Sequence, residues 1–153
     1  MINEVSIEKI KIGDYAEISK TITEEDISDF ADISLDYNPI HLDHEFALKT
    51  HFKKRIVHGM LTASLISAVI GTKLPGKNTI YLYQNLKFTA PAFIGDTLSA
   101  RVEVKKIILE KNIVILSTKV INQEGKLIID GEATVMKEKS DDSNPKSLSS
   151  PIL

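Results

Sequence analysis

The chain of 153 residues has no cysteine, which excludes disulfides, thiolate metal sites and a cysteine nucleophile. An ordinary cytoplasmic protein is the natural reading of that absence. A charge excess is missing too: 19 basic against 21 acidic residues leave a formal net charge of -2. A general nucleic-acid binder would carry a basic surplus. Long apolar runs are also lacking. The most apolar stretch, Met60 to Gly71, is too short and too interrupted to span a bilayer, and Met1-Ile2-Asn3-Glu4 does not begin a secretory leader. No internal repeat is visible. These absences predict a soluble intracellular protein that uses neither nucleic acid nor membrane as a partner.

With 42% apolar and 26% charged residues, the chain suits one globular domain with a core of useful size. That domain is expected over residues 1–138. Residues 139–153 are polar and without periodicity, and are expected to form a disordered tail.

The chemistry is concentrated in Ser34-Leu35-Asp36-Tyr37-Asn38-Pro39-Ile40-His41. An acidic side chain and an imidazole flank an Asn-Pro pair that cannot continue a helix. Pro39 fixes its own φ and biases Asn38 toward extended geometry, so Asp36 and His41 should project from a stiff, irregular connection. A carboxylate and an imidazole so placed can hold one water, take its proton and return a proton elsewhere, as adding water across an activated double bond requires.

Around this segment the patterns alternate in kind. Gly13-Asp14 signals a turn, and Tyr15 to Ile22 reads as a strand. Thr23 followed by Glu24-Glu25-Asp26 offers an N-cap and first-turn carboxylates for a helix over 24–33, whose Ile27, Phe30, Ala31 and Ile33 fall near one face. One short helix is expected around Glu45-Phe46-Ala47-Leu48. Between Met60 and Ile70 no charged residue occurs on any face, so this helix should be buried all round. Gly71 and Pro75-Gly76 end it.

The C-terminal half reads as strands over 80–88, 98–104, 113–122 and 127–136. Ile80, Leu82, Leu86 and Phe88 share a face, with Gln84 the polar exception; Leu98, Ala100, Val102 and Val104 alternate with Ser99, Arg101, Glu103 and Lys105. Connections as short as Gln123-Glu124-Gly125 imply antiparallel hairpins. The expected architecture is α+β: one curved antiparallel sheet wrapped around one long buried helix.

Asp36-Tyr37-Asn38-Pro39-Ile40-His41-Leu42-Asp43, then Ala47, then Ile56-Val57-His58-Gly59-Met60-Leu61, resembles the signature of the MaoC-like, R-specific enoyl-CoA hydratases, or hydratase 2. The likeness runs from about residue 10 to 138 and includes Leu74-Pro75-Gly76 and Pro91-Ala92-Phe93-Ile94-Gly95-Asp96. It implies the hot-dog fold, a homodimer whose sheets join edge to edge, and reversible hydration of trans-2-enoyl-CoA to (R)-3-hydroxyacyl-CoA. It also implies that Asp36 and His41 are the catalytic pair, with Asn38 beside them. Gly59 would be the backbone donor to the thioester oxygen, and Ser67 stands where the family often has a serine lining the site. Where the family motif is often written with Gly, this chain has Leu35.

The same residues admit other readings. His41, His44, His51 and His58 lie at intervals that match no metal site, so neither metal nor cofactor is expected. Gly71 to Asn78 nearly spells a phosphate-binding loop, but ends in Asn, follows a helix and contains Pro where amides should face phosphate. Lys53-Lys54-Arg55 could meet the phosphates of CoA, although short charge runs are commonly solvated surface. Ser64 and Ser67 could simply bond back to the preceding helical turn. An acyl-CoA thioesterase on the same fold and a non-catalytic acyl-CoA-binding module are the competing functions.

Overall fold

Alternation decides the C-terminal half. The computed structural model describes residues 1–139. In chain order its elements are β1 (Tyr15–Thr21), α1 (Glu24–Ser34), α2 (Pro39–Leu42), α3 (His44–Leu48), α4 (Gly59–Thr72), β2 (Thr79–Phe88), β3 (Thr97–Ile108), β4 (Ile113–Ile121) and β5 (Leu127–Lys137). The strands form one antiparallel sheet in the order β1-β3-β4-β5-β2. The two central hairpins pair Val102 with Thr118 and Leu116 with Ala133. Leu98, Ala100, Val102 and Val104 of β3 are all buried, as are Val114, Leu116 and Val120 of β4, so one sheet face is continuously apolar. Against that face lies α4, whose Leu65, Ile66, Val69 and Ile70 join the same buried cluster. Each such side chain removed from water contributes about 1.5–3 kcal/mol. This is the hot-dog arrangement anticipated above.

The wrapping is one-sided, which corrects the expectation of a helix covered all round. Ser64, Ser67 and Gly71 of α4 are exposed, and Met60 is 58% exposed. These positions recur at helical spacing and make a stripe facing away from the sheet. The pattern in β2 also departs from expectation. The register shifts between Tyr81 and Tyr83, leaving Leu82 out of the ladder, and Ile80, Leu82 and Phe88 stay about half exposed. A bulge reverses which face a side chain takes, and alternation read from sequence cannot see it. Gln84, the polar exception, gives its amide to Thr118 Oγ1 at 2.9 Å.

The N-terminal half positions the reactive segment. Thr23 and Asp26 form a capping box that starts α1: Asp26 N–H donates to Thr23 Oγ1 at 3.2 Å and Thr23 N–H to Asp26 Oδ2 at 2.9 Å. Ile27 and Ala31 bury, whereas Ile33, expected on that face, is 82% exposed near the helix end. Pro39 does not begin an irregular connection. It occupies the first position of the helical turn α2, where a missing N–H costs nothing, and Asn38 caps that turn by accepting from Ile40 N–H at 3.2 Å. His41 therefore projects from a helical turn. The expected tail, 139–153, lies outside the described residues except for its first position, Lys139.

At the end of α1, Leu35 has φ 63, the left-handed conformation that a side chain disfavours, while its side chain is 74% exposed. Leu35→Gly should raise unfolding stability by about 0.5–1 kcal/mol, because relief of the left-handed strain outweighs glycine's added chain freedom. Urea unfolding checks this; a destabilised variant would show that Leu35 makes contacts of its own.

Candidate active site

Four pieces of chain converge on one end of α4. The α1–α2 connection brings Asp36, α2 brings His41, the segment before α4 brings His58, and α4 begins with Gly59. The connection is pinned by its own short-range bonds. Asp36 N–H donates to Ser34 Oγ at 3.2 Å, Asn38 N–H donates to Asp36 Oδ1 at 3.2 Å, and Tyr37 Oη donates to Asp32 Oδ1 at 3.0 Å. Asp, Asn and Ser favour such local turns because their oxygens reach backbone amides two residues away. Asp36 itself is exposed.

His41 is buried, and its Nδ1 lies 2.8 Å from the carbonyl oxygen of Ile56. A carbonyl only accepts, so Nδ1 carries the hydrogen and Nε2 keeps its lone pair. Burial pushes the His41 pKa below the usual histidine value; His58 lowers it further, while the Ile56 carbonyl and the Asp36 carboxylate act in the opposite sense. Burial thus favours the neutral form of the ring.

His58, to which the sequence assigned no role of its own, is 1% exposed and stacked on His41 with ring centroids 3.9 Å apart. Its Nε2 stands 3.0 Å from the backbone oxygen of Asp36. Asp36, His41 and His58 each present a potential ligating atom within 4.8 Å of the other two. Interval counting missed this because the fold, not local spacing, delivers His58. The two imidazole planes meet at 31°. A carboxylate beside two imidazoles offers groups for proton transfer as well as donors for a metal ion.

A pocket of about 350 Å³ opens beside His41, walled by Gly59, Thr62, Phe88, Ala92 and Ile128 among others. The first intrahelical bond of α4 runs from Thr62 N–H to His58 O at 3.1 Å, and His58 makes no side-chain cap. The amides of the first turn, Gly59 included, are therefore without intrahelical acceptors, at the positive end of the helix dipole. A Cβ on Gly59 would stand 2.8 Å from the Phe88 ring, so the glycine keeps this wall close. The sheet and connections thus gather Asp36, His41 and Gly59, with Asn38 adjacent as the cap of α2. Ser67 is placed elsewhere: it lines a separate cavity of about 400 Å³ with Phe30, Met60, Tyr81, Gln84 and Leu86. Ser64 Oγ bonds back to Leu61 O at 2.6 Å. In the basic run, Lys54 Nζ sits 3.9 Å from the Phe93 ring centroid, and Arg55 pairs with Glu24. Two of its three cations thus serve the fold.

The depressed pKa of His41 carries a sign for stability. In the unfolded chain the imidazole protonates first as pH falls, so the unfolded state binds more protons in the interval between the folded value and 6.5. His41 therefore contributes a loss of stability as pH drops below 6.5, and none above it. Titration followed by proton NMR should place the His41 midpoint below 6.5, and His41→Gln should flatten the acid-side slope of unfolding free energy. A midpoint above 6.5 would mean that the Asp36 carboxylate outweighs burial.

Comparison with known proteins agrees with this geometry. Residues 8–125 match the family model described as MaoC like domain. An (R)-specific enoyl-CoA hydratase of Rhodospirillum rubrum is 51% identical over 129 residues, covering 84% of this chain and 89% of that protein. One from Aeromonas caviae is 44% identical over 131 residues, covering 86% of this chain and 98% of its own length. Among solved structures, an unliganded R-hydratase from Pseudomonas aeruginosa superposes with a TM-score of 0.85 at 45% identity, over 90% of this chain and 88% of that one. With the matched region spanning the sheet's first four strands and every residue gathered around His41, the chain belongs to the MaoC-like domain family.

Proposed function

We infer that this chain is an (R)-specific enoyl-CoA hydratase, in which Asp36 and His41 share the proton transfers and the first turn of α4 receives the developing charge. The observation that carries the reading is that Asp36 and His41 bring polar side-chain atoms within 4.8 Å of each other, while His41 and the first residue of α4, Gly59, line one pocket. Relatives 44–51% identical over most of the chain bear the same hydratase name.

Water is a poor nucleophile at neutral pH. As its oxygen attacks C3 of the enoyl thioester, one of the pair takes its proton and the C2 carbon receives a proton in turn. The two groups stand close enough to share both transfers, so the division of labour belongs to the pair. Negative charge grows on the thioester oxygen during attack, and the Gly59 amide is the donor suited to it. Removal of such a donor typically costs about 3 kcal/mol of transition-state stabilisation. Glycine at this position lets substrate approach the backbone. Asn38 contributes by capping α2 and so fixing the direction of His41.

The working unit is a homodimer. Of the two sheet edges, β1 is covered by charge: Arg101 pairs with Glu17 at 2.9 Å and lies over the Tyr15 ring. The β2 edge instead presents Ile80, Leu82 and Tyr83, and open apolar edges invite a second strand. The exposed stripe of α4 and the cavity that holds Ser67 lie next to that edge. Joining two β2 strands would bring Ser67 toward the partner and complete the helix's covering. The cytoplasm is the fitting compartment for a cysteine-free enzyme of CoA thioesters. No helix among the described residues is long and apolar enough to cross a membrane.

With crotonyl-CoA, hydration should appear as loss of the conjugated-thioester absorbance and yield the (R) product. Asp36→Asn or His41→Ala should each lower kcat by at least ~100-fold in a folded protein. Release of CoA thiol without hydration would favour the thioesterase, and tight binding without turnover the non-catalytic module. Sedimentation should give a dimer; a fully active monomer would contradict the edge-to-edge assembly.

A further inference from the structure

His58 has no part in the proton transfers described above, yet it touches the His41 ring and the backbone of Asp36. It is 1% exposed, directly precedes Gly59 and acts as the N-cap residue of α4. One face of its ring stacks on His41 at 3.9 Å, and Phe30 of α1 packs against it at 4.9 Å between centroids. Its Nε2 reaches the Asp36 carbonyl at 3.0 Å. That carbonyl can only accept, so Nε2 carries the hydrogen. Nδ1 is buried and has no hydrogen-bond partner among the described residues.

A capping residue ordinarily turns its side chain back to the helix amides it precedes. His58 forgoes that, points to the neighbouring connection and leaves a buried nitrogen unpaired. The compensation is a strap. The bond to Asp36 O joins the connection that bears the carboxylate to the helix that bears the Gly59 amide. The stacked ring sets the depth of His41 between them. Without it, Asp36 would be held to the rest of the site only by bonds within its own connection, to Ser34, Asn38 and the loop they form.

We propose that His58, through its Nε2–H bond to the Asp36 carbonyl and its stack on His41, is a positioning residue that sets the distance of the catalytic pair from the Gly59 amide. The inference rests on the hydratase reading of Asp36 and His41. A displacement of about 1 Å in such a constellation can cost on the order of 100-fold in rate. The loss should fall on kcat, because substrate binding draws on the pocket walls rather than on the alignment of the pair.

Two substitutions separate the strap from simple packing. His58→Phe keeps a flat ring against His41 and Phe30 but removes the donor. His58→Gln places an amide N–H near the position of Nε2 and removes the ring. With crotonyl-CoA, His58→Phe should lower kcat by ~10- to 100-fold with KM little changed, and His58→Gln should recover most of that loss. Parental kcat in folded His58→Phe, or equal losses in both variants, would make His58 a packing residue and overturn the proposal. Nitrogen-edited NMR of the unaltered enzyme at pH 8 gives a test independent of variant folding. The hydrogen should reside on Nε2 of His58 and on Nδ1 of His41; a hydrogen on Nδ1 of His58 would overturn the strap. His41→Ala serves as the control. If it abolishes turnover while His58→Phe does not, only the strap falls; if it too is harmless, the catalytic pair itself is wrong and the strap with it.

Discussion

Burial of α4 against the concave sheet is the constraint on which the site depends. Ile66, Val69 and Ile70 are held by Leu98, Ala100, Val102 and Leu116, and this fixes both the axis and the depth of the helix. With its axis fixed, the N-terminal turn points to one place beside the α1–α2 connection. The unsatisfied amides and the helix dipole are by-products of helix geometry, available to any substrate whose charge grows there. The chain then needs only short local structures to bring acid and base to that point. The capped α1, the left-handed Leu35 and the turn started by Pro39 perform that task.

Much of this was legible in the residues. Alternation in β3 named the buried side chains one by one, because a sheet with one covered face leaves no freedom in the pattern. The N-cap at Thr23 and the charge-free run of α4 were equally plain, since each reports a local cause. Two kinds of feature were not. The first depends on chain brought together from a distance: His58 sits seventeen residues beyond His41 in sequence, and only the sheet's grip on α4 stacks their rings. The second concerns which face of an element the sheet leaves uncovered. A charge-free helix reads as buried all round, yet Ser64, Ser67 and Gly71 face outward in the single chain. The bulge at Leu82 similarly turns an apparently half-buried strand into an exposed apolar edge. Pro39 was misread for another reason. A proline that breaks a helix in its interior is equally at home in its first turn, and Asn38 before it was the available signal.

The two histidines show how one fold gives identical side chains different work. His41 donates through Nδ1, and His58 donates through Nε2 and leaves Nδ1 without a partner among the described residues. Each tautomer is chosen by a backbone carbonyl, Ile56 for one and Asp36 for the other. Neither choice needs a charged neighbour.

The central claim is that Asp36 and His41 act on one water as a unit, and a double-mutant cycle on kcat/KM for crotonyl-CoA tests it most directly. Asp36→Asn, His41→Gln and the double variant would be compared after their folding is verified. Groups that act as a unit are strongly non-additive, so the double variant should lose little more than the worse single variant. Losses that multiply would show that the two residues serve separate steps or separate molecules, and would contradict the account.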